Sequence, residues 1–235
     1  MFAGAHSDRV TQDEIDVSLP YPPLLLLTDR RQARRPLAEI VAAALEGGCR
    51  WVSLREKDLP ADEQVLLARA LMPLARPYKA ALMLHGEPAL AKRAGVDGVH
   101  LRAGADPAEV RAARGLLGAD KLVGVSIHTV TEAERIDPGV ADYALAGPAF
   151  ETASKPGYGP AIGPAGLAEI VRATRVPVLA IGGVNAIRVA ELTAVGAAGV
   201  AVMGGVMRAA DPVREVRGLL ATLTHAPAIR VPGRY

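Results

Sequence analysis

Three groups of residues in this chain have types and spacing suited to chemistry on a small anionic substrate. The first is a pair of double glycines. Ile181-Gly182-Gly183-Val184 runs into a helical pattern near Asn185, and Val202-Met203-Gly204-Gly205 into a short one over Val206–Ala209. Glycine lets the backbone approach an anion closely, and a following helix N-terminus points free N–H groups at it. One such turn alone would read as an ordinary tight turn; two together suit a phosphate.

The second group is cationic. Arg55 and Lys57 flank Glu56, and Lys155 lies in a long glycine-rich loop from Gly147 to Gly163. These side chains can neutralise phosphate or carboxylate. For Lys57, followed by Asp58, a solvated charge cluster is the alternative reading. Thr152 and Ser154 in the same loop suit oxyanions, and its glycines could hinge a lid. The third group is Ser126 and His128. The imidazole could move a proton near neutral pH, and the hydroxyl could bond a substrate or fix a loop. His85 is a lesser binding candidate, and His100 could equally be a satisfied core histidine. Asp29, Glu56, Glu87 and Asp106 give no close carboxylate pair on neighbouring strand ends, and no His-Glu-x-x-His spacing occurs. No metal ligands are therefore expected.

These groups need a scaffold that gathers them. The chain alternates short apolar runs with longer amphipathic ones. The short runs are 24–28, 51–55, 80–84, 98–101, 122–126, 142–146, 178–181 and 199–203. They lack polar alternation, as strands buried on both faces do. Helical patterns fill 37–45, 62–75, 88–94, 107–117, 131–135, 164–172, 186–194 and 212–223. Pro107, Pro164 and Pro212 suit a first helical turn, and Asp106, Thr129, Asn185 and Asp211 are cap candidates. Eight βα units at roughly 25-residue spacing predict an α/β fold, a TIM (β/α)8 barrel in one domain over 23–224. Residues 1–22 and 225–235 read as tails. A doubly wound sheet is the competitor, but no Gly-x-Gly-x-x-Gly follows the first strand. In a TIM barrel the site lies at the C-terminal strand ends, where all three groups fall.

Composition agrees. The chain has 235 residues, half of them hydrophobic but only 3% aromatic, so aliphatic side chains must fill the core. Lys and Arg number 27 against 25 Asp and Glu, for a net charge of +2, which argues against nucleic-acid binding. A single Cys excludes an internal disulfide and points to a reducing compartment. No apolar run spans a membrane, and acidic residues at 8, 13, 14 and 16 do not suit a signal peptide, so a cytoplasmic location is expected.

Over roughly residues 22–224 the sequence resembles the thiamine-phosphate synthase family. The resemblance is carried by Leu27-Thr28-Asp29, Leu54-Arg55-Glu56-Lys57, the segment from Gly95 to Leu101, Gly124-Val125-Ser126-Ile127-His128-Thr129, Gly147-Pro148, the run from Thr152 to Lys155, and the segment from Pro177 to Gly183. It implies a TIM barrel and thiamine biosynthesis, in which a pyrimidine pyrophosphate joins a thiazole phosphate and magnesium stabilises the departing pyrophosphate. Three positions depart from that pattern. Ser53 replaces a Gln, Gly86 stands where the family has a metal-binding Asp, and Asp106 is shifted by one residue. These departures, with Phe150-Glu151-Thr152, resemble the thiazole tautomerase branch. That resemblance implies an isomerase that aromatises a carboxythiazole phosphate without metal, with His128 as acid/base and Ser126 assisting. A synthase with an altered magnesium site is the alternative, and a non-catalytic thiazole- or thiamine-phosphate-binding regulator is the third reading. The expected partner is a small phosphorylated thiazole, with a homodimer left open.

Overall fold

The computed structural model describes residues 19–152 and 160–223. Eight strands form a closed parallel barrel in sequence order: β1 (Leu24–Leu27), β2 (Trp51–Leu54), β3 (Ala81–His85), β4 (Gly98–Leu101), β5 (Leu122–Ile127), β6 (Tyr143–Ala146), β7 (Val178–Ile181) and β8 (Gly199–Val202). The barrel closes where Leu25 of β1 registers with Ala201 of β8. This is the TIM-barrel architecture expected from the aliphatic runs. Each strand is nearly all buried because helices cover the outside while side chains fill the inside.

The helices are α1 (Leu37–Glu46), α2 (Ala61–Ala75), α3 (Pro88–Ala94), α4 (Pro107–Leu117), α5 (Val130–Glu134), α6 (Gly163–Ala173), α7 (Ala186–Ala194), α8 (Gly204–Met207) and α9 (Pro212–Leu223). All four cap candidates cap. Asp106 and Thr129 form capping boxes with Glu109 and Glu132, Asn185 accepts from the Arg188 amide, and Asp211 from the Arg214 amide. Each satisfies amides that a helix start leaves without intrahelical partners.

Alternate strand residues form two cores. Val52, Leu82, Val99, Val123 and Ala144 pack outward against the helices. Leu25, Trp51, Met83, Leu122, Tyr143 and Leu179 pack inside the barrel. Trp51 and Tyr143 meet edge to face at 4.6 Å, and the indole N–H points at the Met83 sulfur, 2.8 Å away. A buried ion pair ties α4 to the start of β6, and the same carboxylate reaches β5. Arg114 Nη2 lies 2.5 Å from Asp142 Oδ2, which also accepts from the Val123 amide at 2.6 Å.

Several element ends differ from the sequence expectation by a residue or two, and three differences have a specific structural reason. Residues 19–22 are not all tail: Leu19 is buried among the inner core residues, where an isolated leucine in polar sequence gives no periodic signal. His85 ends β3 instead of following it, because its backbone registers with His100 of β4 and the next amide, Gly86, donates to the His100 carbonyl at 3.0 Å. Helix α8 starts at Gly204, two residues early, since the Met207 amide already bonds the Met203 carbonyl. The rest of the N-terminal segment, the C-terminal segment, Ser154 and Lys155 lie outside the described residues.

Candidate functional site

A cleft of about 350 Å³ opens at the C-terminal ends of the strands. Its size suits a small-molecule ligand. Of the residues expected to do chemistry, Arg55, Lys57, His85, Ser126, His128, Thr152, Gly182, Gly183, Gly204 and Gly205 all line it. The barrel thus gathers side chains and backbone from six strand ends spread over 150 residues of sequence.

The cationic wall is built from β1 and β2. Glu56 is 2% exposed and serves the scaffold. Its carboxylate accepts from Thr28 Oγ1 at 2.7 Å and from the Arg30 amide at 3.0 and 3.1 Å. Thr28 Oγ1 in turn accepts from the Arg55 amide at 2.9 Å. This web fixes the backbone of Arg55, whose Nη1 reaches 4.0 Å from Met203 Sδ beyond β8. Burial, together with the nearby Arg55 charge, pushes the Lys57 ammonium below the usual lysine range. Two like charges held this close favour an anion between them.

The opposite wall is the pair of glycine turns. Gly182 and Gly183 have φ of +99° and +63°, a region that costs other residues strain. A Cβ on Gly183 would fall 2.6 Å from the Glu151 carbonyl oxygen, and one on Gly182 2.8 Å from Pro148. The turn is pinned from behind. Phe150 donates its amide to the Gly182 carbonyl at 3.0 Å, and Arg188 donates to the Gly183 carbonyl at 2.8 Å while lying over the Phe150 ring. The second turn differs. Gly204 and Gly205 lack positive φ and form the first turn of α8, whose leading amides have no intrahelical carbonyl to meet.

Between the walls, Ser126 ends a buried chain. His100 Nε2 is 2.8 Å from Ser126 Oγ, and His100 Nδ1 is 2.9 Å from the Tyr143 hydroxyl. His100 is therefore a satisfied core histidine that also orients a cleft hydroxyl. Burial pushes it down to about 3, with the Lys57 charge adding to the effect, so its ring is neutral. His128 Nδ1 meets the Gly147 carbonyl. A carbonyl only accepts, so Nδ1 carries the proton there. The His128 amide donates to Glu132 at 2.6 Å.

Sequence reasoning did not single out Arg102, Glu151 or Arg208 as site residues, yet all three line the cleft. Arg102 directly follows β4, and the strand-end rule already marks that position, though its type alone gave it no role. Arg208 follows the four-residue α8, and no sequence pattern marks it.

Residues 24–206 match the family described as thiamine monophosphate synthase. The chain belongs to this family. A thiamine-phosphate synthase from Roseiflexus sp. (strain RS-1) is 40% identical over 213 residues, covering 88% of this chain and 89% of the relative. A putative thiamine-phosphate synthase from Geobacter sulfurreducens is 42% identical over 201 residues, covering 85% and 93%. Among solved structures, thiamine phosphate pyrophosphorylase from Pyrococcus furiosus superposes with a TM-score of 0.76 at 31% identity, covering 86% of this chain and 96% of that one.

These matches correct the expectation of a thiazole tautomerase. Relatives at 37–42% identity over more than four-fifths of the chain carry the synthase name. The tautomerase reading rested on a few positions around the metal triplet and on Phe150-Glu151-Thr152. Those positions report how one ion is held, whereas overall identity weighs every wall of the cleft. The isomerase role given to His128 falls with that reading.

The family implies magnesium, and the donor set here does not fit it. Gly86 has φ of +146°, a backbone that an Asp would adopt only with strain. Glu87 precedes α3 and is exposed. Asp106 Oδ1 is used by the Ala108 and Glu109 amides, both at 2.8 Å, and the residue does not line the cleft. Among the described residues no group of three His, Cys, Asp or Glu side chains could hold a metal ion. Ser53, where the family pattern has Gln, is buried, and its Oγ has no hydrogen-bond partner among the described residues. Among the described residues no helix is long and apolar enough to cross a membrane.

Proposed function

We propose that this chain is a thiamine-phosphate synthase, joining a pyrimidine pyrophosphate to a thiazole phosphate. The observation that supports this most is the pairing, in one cleft, of a cationic wall at β2 with two glycine turns after β7 and β8. Two phosphorylated substrates, one of them a pyrophosphate, need two phosphate-binding regions in one cleft, and the two walls offer them.

In this reading the thiazole phosphate sits on the amides of Gly182, Gly183, Gly204 and Gly205. The pyrophosphate faces Arg55 and Lys57, with Thr152 contributing from the loop after β6. The thiazole ring nitrogen attacks the methylene carbon of the pyrimidine. A C–N bond forms, the C–O bond breaks, and pyrophosphate leaves with the electron pair. No proton needs to move for this exchange. The protein's part is to hold the two reactants in line and to stabilise charge on the leaving group. His85 and Ser126 offer polar contacts to the rings from the cleft floor. His128 acts as a positioning residue, tying the end of β5 to Gly147.

The test is to mix the purified chain with both substrates, with and without magnesium, and to follow thiamine phosphate by its oxidised fluorescent product. Formation of thiamine phosphate is expected. A folded protein that binds the thiazole phosphate but forms no product under either condition would refute the reading.

A further inference from the structure

Among the described residues the cleft holds no group of side chains that could bind a metal ion, and it is crowded with cations. Arg55, Lys57, Arg102 and Arg208 line it, against Glu151 as the acidic side chain among the described lining residues. Where the family pattern places metal ligands, the loops carry Gly86, a capping Asp106 and Arg102. Glycine offers no donor there, and the cap is already spent on two amides. Arg102 is fixed at the mouth by Glu109, whose Oε1 accepts from Nη2 at 2.9 Å, and by the Ala103 carbonyl at 3.3 Å from Nη1. A magnesium ion held through one or two carboxylates and substrate phosphates would have to enter among these positive charges. Like charges repel it, while the pyrophosphate they attract meets guanidinium forks that match its oxygens.

We propose that the leaving pyrophosphate is neutralised by side-chain cations in place of a divalent metal, with Arg102 taking the charge-compensating position that metal ligands vacate. This rests on the synthase reading. As the C–O bond breaks, the electron pair goes to the pyrophosphate oxygen, and the charge growing there is met by Arg55, Lys57 and Arg102. Each fixed cation acts without waiting for an ion to bind.

The experiment titrates inorganic pyrophosphate into the full chain by calorimetry, with EDTA and with magnesium, and measures turnover under the same two conditions. Pyrophosphate is expected to bind in EDTA within about threefold of its affinity in magnesium, and turnover to persist in EDTA. Arg102→Met is expected to weaken pyrophosphate binding in EDTA by about tenfold or more, the loss of one charge-assisted contact. Arg102→Lys should recover part of it. Turnover only with magnesium, pyrophosphate binding only with magnesium, or unchanged binding in Arg102→Met would each overturn the proposal while leaving the synthase reading intact. Metal-free pyrophosphate binding without turnover under either condition would instead sink the synthase reading, and the proposal with it.

Discussion

His100 gives the barrel a pH dependence whose size can be worked out. Its ring is fully buried, bonded to Tyr143 and Ser126, and held neutral with a pKa of about 3 against an ordinary 6.5. Below pH 6.5 the unfolded chain binds a proton that the folded chain refuses. Stability from this group is therefore complete above the unfolded value and is lost as pH falls toward the folded one. The slope approaches about 1.4 kcal/mol per pH unit, and moving from about pH 7.5 to about pH 4.5 removes roughly 2.7 kcal/mol. The assay is urea unfolding of the wild type and of His100→Asn across that range. The variant loses two buried hydrogen bonds and starts lower, so the slopes are compared, not the intercepts. Other titrating groups act alike in both proteins and cancel. The wild-type curve should fall more steeply with acid, and the two should converge. Parallel curves would refute the claim that His100 is buried neutral; His100→Gln serves as the second variant should the first not fold.

Three other outcomes are expected. Arg114→Ala leaves the Asp142 carboxylate buried without its ion pair and should cost about 3–5 kcal/mol, read by urea unfolding. Gly183→Ala meets both the positive φ and the Glu151 carbonyl, so stability should fall by at least about 1–2 kcal/mol. The KM for the thiazole phosphate should rise about tenfold or more in that variant. Asp106→Ala should cost about 1 kcal/mol through the lost capping box while leaving turnover unchanged; a collapse of turnover would make Asp106 a ligand and not a cap.

The barrel was legible because each of its parts carries a local signal. Aliphatic runs such as Val178–Ile181 mark buried parallel strands, and Asp106-Pro107 or Asn185 before an amphipathic stretch marks a helix start. The glycine turns were legible for the same reason. Leu19 was not, because the inner core it joins is assembled from strands spread along the whole barrel. The His100 chain was also hidden: three residues 17 to 43 positions apart meet only when the strands close. The choice between isomerase and synthase was not legible at single positions, because local departures carry less than the identity of the chain as a whole. Gly86 and Asp106 describe the support of one ion, and a site can change that support without changing its reaction.

The floor of the cleft is not uniform around the barrel. His85 of β3 and Ser126 of β5 supply its polar side, whereas Leu145, Ile181, Ala201 and Leu27 supply an aliphatic side running from β6 round to β1. A flat heterocycle lying there loses water along its whole rim but regains hydrogen bonds along only part of it. The penalty for rotating such a ring by half a turn is that of an unpaired polar edge against aliphatic carbon, on the order of 1–3 kcal/mol. Closure of the sheet thus sets the azimuth of whatever lies on it, independently of the phosphates that bring it there.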